Sequence, residues 1–149
     1  MPTLDRQRAL SRTFGPVARG WWQLADRTLA EIGLSNSAGW CLLHLDRIGP
    51  QARQIDLAEA LEISQPSLVR TLHQLEAAKL VERLPNPDDR RSNRLALTPA
   101  GQELVGSIQK RLDELRNALL EDIPAADIDT SVRLMEMLGR RMAERRAEP

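Results

Sequence analysis

The sequence predicts a mainly α-helical chain with one small β-hairpin. Three observations carry that prediction. Apolar residues recur every three or four positions through most of the 149 residues. The stretches LVERL and RLALT, on either side of Asn86–Asn93, have a period of two. Two outer segments, one at each end, carry long apolar stripes with no sheet to cover them.

Each element has its own signals. From Leu4 to about Ile32 the pattern is helical, but Gly15-Pro16 interrupts it. Proline removes one N–H from the ladder, which predicts a kink or two separate helices there. Gly33 ends the segment. Ser35 or Ser37 then caps a second helix through AGWCLLHLDRI, closed by Gly49-Pro50. QIDLAEALEI is a short amphipathic helix with Ile55, Leu57, Ala58 and Leu61 available for burial. In SQPSLVRTLHQLEAAKL, Ser64 suits the N-cap, and Pro66 falls in the first turn, where its missing N–H is no loss. The hairpin follows. Thr98-Pro99 starts a long helix with Leu104, Ile108, Leu112, Leu115 and Leu119 in register. Beyond Ile123-Pro124 comes a last helix with Ile128, Val132, Met135, Leu138 and Met142. The organisation expected is an N-terminal dimerisation arm over 1–34, a compact lobe over 35–100 and C-terminal dimerisation helices over 101–149. The end stripes bury most economically against one another and against a second copy of the chain, a homodimer.

Composition narrows the possible functions. Formal charge is zero and the pI about 6.7, so affinity for nucleic acid must come from the arrangement of charges. Lys79 and Lys110 are the only lysines; the other basic residues are arginines. Cys41 is the only cysteine, which excludes an intramolecular disulfide and a CxxC site. Tyrosine is absent and Phe14 is the only phenylalanine, so the core falls to Leu, Ile, Val, Ala, Met and three tryptophans. The start lacks an apolar run of signal-peptide length and nothing approaches a membrane span, so the expectation is a cytoplasmic protein with no membrane partner.

Two short helices joined by the tight link EIS form a helix–turn–helix, the unit that reads DNA. At about 100° per residue, Leu68, Leu72 and Leu75 of the second helix share the core side. Pro66, Ser67, Arg70 and Gln74 face outward with His73 at the margin, and that face holds no acid; Ser64 and Gln65 at the helix start join them as major-groove candidates. Glu76 points back toward the core side. Arg70 suits guanine O6 and N7, Gln74 suits adenine N6 and N7, and Ser67 suits a phosphate or a base.

A hairpin directly after such a helix is a wing, placed to lie beside the duplex. Its tip, NPDDRRSNR, sets acids against arginines. Asp89 stands two residues before Arg91, where a carboxylate can orient a guanidinium toward the minor groove. Arg90 and Arg94 are left for phosphates.

NPDDRRSNRLALTPAG resembles the wing of the MarR family, with its D-x-R followed by alternating residues and L-T-x-x-G: here Asp89, Arg91, Leu95, Leu97, Thr98 and Gly101. QIDLAEALEISQPSLVRTLHQLEAAKLVERL is similar to the helix–turn–helix of that family and, within it, of the SlyA-like branch. The likeness runs from about Leu34 to Gly101. It implies a winged helix–turn–helix homodimer that regulates transcription, as a repressor or anti-silencer, from pseudo-palindromic double-stranded DNA. Members often release DNA when a small aromatic or phenolic anion binds. By position, Ser67, Arg70 and Gln74 would read the major groove and Arg91 the minor groove, with Asp89 orienting it.

Other chemistry has less support. Cys41 and His44 share a helix face, but no third or fourth ligand stands near, so neither a metal site nor a catalytic pair is expected. No glycine-rich phosphate loop is present, no cofactor is implied, and an enzyme is not expected. A redox- or metal-responsive regulator acting through Cys41, and a winged-helix module that binds protein instead of DNA, are the alternatives. Trp21, Trp22 and Trp40, with Arg19 or His44 nearby, can line a crevice for a small aromatic carboxylate, or simply pack where arm meets lobe.

Overall fold

The computed structural model describes residues 3–147, so the extreme positions of both arms, Met1, Pro2, Glu148 and Pro149, lie outside the described residues. The elements run α1 (Thr3–Glu31), α2 (Asn36–Ile48), α3 (Gln54–Leu61), α4 (Gln65–Ala77), β1 (Val81–Pro85), β2 (Asn93–Leu97), α5 (Pro99–Leu120) and α6 (Ala125–Ala147). The chain forms two compact units, residues 1–115 and residues 116–149.

Caps set the boundaries in the first unit. Ser35 accepts the Ala38 N–H at the start of α2, and Ser64 accepts the Ser67 N–H at the start of α4 with Pro66 in the first turn. Gly49 ends α2 at φ 86°, donating its N–H to Leu45. The link between α3 and α4 turns on Glu62 at φ 53°, a left-handed position more often held by glycine.

β1 and β2 pair antiparallel in the register Val81↔Leu97, Arg83↔Leu95 and Pro85↔Asn93. A third, very short extended piece joins them. The Leu95 N–H bonds the Ala52 carbonyl at 2.8 Å, and Arg53 bridges Arg94, so the α2–α3 loop closes the outer side of β2. The hairpin is therefore anchored to the helix–turn–helix.

The core is made of leucine. Leu29, Leu42, Leu57, Leu68, Leu72, Leu95 and Ile108 are completely buried, with Leu45, Leu75, Val105 and Leu112 nearly so. It extends beyond the expected 35–100 lobe, because α1 contributes Ala25 and Leu29 and α5 contributes Val105, Ile108 and Leu112. The second unit contains α6, which buries none of its residues; Val132, Met135, Met137 and Met142 are exposed along it.

Three expectations need correction. Of the kink or two separate helices expected at Gly15-Pro16, the second does not occur: α1 is one helix through Pro16. Proline removes the bond its own N–H would have made and crowds the Arg12 carbonyl, and Arg12 is exposed, so that carbonyl can turn to solvent. Ile55 does not enter the core: it is 44% exposed, because α3 has only eight residues and turns Leu57 and Ala58 inward instead. Methionine does not build the core, and of the tryptophans only Trp40 packs against it. Met135, Met137 and Met142 are exposed, and all three tryptophans retain contact with solvent.

Candidate nucleic-acid interface

α4 presents the acid-free face. Ser64, Gln65, Pro66, Ser67, Arg70, His73 and Gln74 are all exposed, while Leu68, Thr71, Leu72 and Leu75 fix the opposite side. Arg70 makes no ion pair among the described residues, so its fork is available to a ligand. The N-terminus of α4, capped by Ser64, adds the positive end of its dipole. The Ser64 and Ser67 hydroxyls lie 2.9 Å apart, which holds the first turn in shape.

Glu76 does turn inward, as expected, and meets a basic partner. The Arg83 guanidinium of β1 donates to Glu76 at 2.7 Å and to the Gln54 side chain at 3.2 Å. One arginine thereby ties α4, α3 and the hairpin together, and the reading helix and the wing share a frame.

The tip of the wing differs in detail from the sequence expectation. The Asp89 carboxylate accepts the backbone N–H of Arg91 at 2.9 Å and forms no ion pair with its guanidinium. Spacing explains this, since an Asx turn brings the carboxylate two residues on to the main chain before any long side chain can compete. Asp89 therefore shapes the turn that presents Arg91 and does not grip the arginine. Arg94 is not free for phosphate. Its side chain is only 17% exposed and donates to Asn86 at 3.4 Å and to Asp88 at 3.3 Å. Arg90 and Arg91 remain as the exposed cations of the tip.

Asn86 was missed in the sequence reading. It is 9% exposed, donates to the Ser92 hydroxyl at 3.0 Å, and accepts from the Asp88 N–H and from Arg94. Its position just before Pro87-Asp88 at the end of a strand was the available signal. Arg53 was missed too. It lies beside Arg94 with its fork on Asp56, at 2.9 and 2.6 Å, and this pair holds the Asp56 carboxyl below its usual range.

Trp22, Trp40 and His44 line a crevice of about 510 Å³ together with Ser37, Leu61, Glu62, Ile63 and Thr71. The Trp22 and Trp40 rings meet edge to face with centroids 5.0 Å apart, and the Trp40 indole N–H donates to Asp26 at 2.9 Å. Two residues expected there do not line it. Trp21 is absent from the lining, and Arg19 packs back along α1 onto Gly15, where the missing side chain leaves room for the guanidinium. Burial, and secondarily Arg47, lowers the His44 pKa from its ordinary value, so the imidazole is neutral near pH 7.

Cys41 is fully buried on α2, and burial pushes its thiol up to about 12. A thiol held in that way is a small apolar side chain and not a redox trigger. Among the described residues, no three His, Cys, Asp or Glu side chains are grouped to hold a metal ion, and no helix is long and apolar enough to cross a membrane.

A helix–turn–helix whose second helix exposes an acid-free face, followed by a hairpin with a basic tip, defines a winged helix–turn–helix. Residues 32–92 match the model of the MarR family. The whole fold agrees. The transcriptional regulator PA3341 superposes with a TM-score of 0.82 at 28% identity, over 91% of this chain and 98% of that one. The DNA complex of MepR from S. aureus gives 0.68 at 27% identity, over 88% and 96%. The MarR-family regulator SP03579 gives 0.84 over 98% and 96%, a likeness of fold at 23% identity. The chain has the winged-helix fold of MarR-family transcription regulators.

Proposed function

We propose that this protein is a sequence-specific transcription regulator, not an enzyme, that binds a pseudo-palindromic operator as a cytoplasmic homodimer. The observation that carries the reading is the juxtaposition of two features. α4 exposes Arg70 and Gln74 on a face without acids, and the wing exposes Arg90 and Arg91, both held to one frame by Arg83. MepR, a relative of the same fold, is seen bound to DNA, which supports this assignment. The resemblance of Gln54–Leu84 to the SlyA-like branch supports assigning the chain to that branch.

In this reading Arg70 and Gln74 take base edges in the major groove, Ser67 takes a phosphate or base, and Arg91 enters the minor groove. Arg90 contacts phosphate. The exposed apolar residues of α6, and Leu4 and Val17 of α1, meet a second copy. Two reading helices about 34–36 Å apart then engage half-sites about 10 bp apart. A small aromatic compound in the Trp22–Trp40 crevice releases the DNA by engaging the α3–α4 turn.

A gel shift on the chain's own upstream DNA, at fixed salt, tests this. The wild type gives a discrete complex. Arg91→Ala weakens it severely, and Arg70→Ala flattens preference at one base position by about 1–3 kcal/mol. A chain that binds no DNA at low salt, or an Arg70→Ala profile identical to wild type, refutes the reading and leaves a protein-binding module.

A further inference from the structure

The charge of the crevice between α1–α2 and the α3–α4 turn points to a ligand class. No arginine or lysine lines it. The one formally charged side chain in its wall is Glu62, and that carboxylate has no hydrogen-bond or ion-pair partner among the described residues. Trp22 and Trp40 supply two aromatic surfaces, set edge to face. The Trp40 N–H is donated to the Asp26 carboxylate, which pushes electron density toward the ring and makes its face a better seat for positive charge.

We propose that this crevice binds an aromatic organic cation: a planar body laid against the edge-to-face pair of Trp22 and Trp40, with its positive charge toward Glu62. The inference deepens the ligand-responsive part of the proposed function and reverses the charge expected from the sequence. An aromatic carboxylate would need Arg19, which packs elsewhere, and would enter beside an unpaired Glu62. Neutral His44 supplies a hydrogen-bonding edge and no countercharge. The volume of about 510 Å³ suits a two- or three-ring compound. Glu62, the C-cap of α3 in the left-handed region, stands at the hinge of the helix–turn–helix. A cation drawn to it acts on the link that sets α3 against the reading helix.

Calorimetric titration of the full chain without DNA tests this, using three probes of similar shape: 1-methylquinolinium, 1-naphthylmethanol and 1-naphthoate. The cation binds about tenfold more tightly than naphthoate, with the neutral alcohol between them. Glu62→Gln removes most of that preference and leaves alcohol binding unchanged, while Trp22→Leu weakens cation and alcohol together. Naphthoate binding as tightly as the cation, a Glu62→Gln variant with the preference intact, or no cation binding at millimolar concentration overturns the proposal. The gel shift is read separately. DNA binding without cation binding sinks only the ligand class, and cation binding by a chain that ignores DNA sinks only the regulator.

Discussion

Arg91 and Arg94 lie three positions apart in one hairpin, yet the fold gives them opposite tasks. Arg91 stands exposed on a turn whose backbone Asp89 fixes, while Arg94 is folded inward onto Asn86 and Asp88. Arg91→Ala should lower DNA affinity and reduce the salt dependence by about one unit of slope, with thermal stability unchanged. Arg94→Ala should cost stability, about 1 kcal/mol, because it breaks the wing's internal polar cluster. Asp89→Ala should weaken DNA binding even though it makes the protein more basic, since the turn loses its side-chain acceptor; tighter binding in a fixed-salt titration would mean the wing acts as bare charge. His44 gives a pH signature. Its folded pKa lies below the ordinary 6.5, so between those values the unfolded chain holds more protons. Its contribution to stability is complete above about pH 6.5 and is lost as pH falls through that window. Melting curves at about pH 7.5 and about pH 5.5 should differ less for His44→Gln than for wild type.

The elements show why some of this was legible in the sequence and some was not. Ser35, Ser64, Pro66 and Gly49 mark helix ends by local chemistry that the chain itself contains, and they stand where expected. Leu68, Leu72 and Leu75 follow from helical spacing alone. Pro16 did not split the helix because a lost bond on an exposed stretch is tolerated by a helix of 29 residues. Arg83 went unassigned and Arg94 was given to phosphate, because what distinguishes an inward from an outward arginine is a partner brought close by folding: Glu76 for one, Asn86 for the other. The reading face was visible as an absence of acid, whereas the charge of the crevice depended on which side chains finally line it. The junction of hairpin and α5 offers a test at this scale. The Thr98 hydroxyl donates to the Lys79 carbonyl at 2.7 Å and accepts the Gly101 N–H at 3.0 Å, and a Cβ on Gly101 would collide with the Leu80 carbonyl oxygen. Gly101→Ala should therefore destabilise by about 1–3 kcal/mol in denaturant melts, despite alanine's better helix propensity. A stabilised variant would mean that the approach is looser than drawn.

For the molecule as a whole, assembly is the main expectation. α6 leaves Val132, Met135 and Met142 exposed at helical spacing, more apolar surface than a lone helix face leaves in water without a partner. Light scattering should report a dimer mass, and Met135→Glu should shift the population to monomer and abolish operator binding while the helical content persists. A wild-type chain that is monomeric at micromolar concentration would remove the twofold reading and the half-site spacing with it.

Thr98 ties the base of the hairpin to the first turn of α5, with its own N–H on the Leu80 carbonyl as a third bond. The five-residue strands extend roughly 17 Å from that knot. A tilt of about 10° at the root displaces the far end by roughly 3 Å, the difference between a guanidinium seated in a groove and one outside it. Thr98 couples the hairpin's root to α5 while Arg83 and the Ala52–Leu95 bond hold its flank to the helix–turn–helix, so a small rotation of that shared frame carries the tip with it.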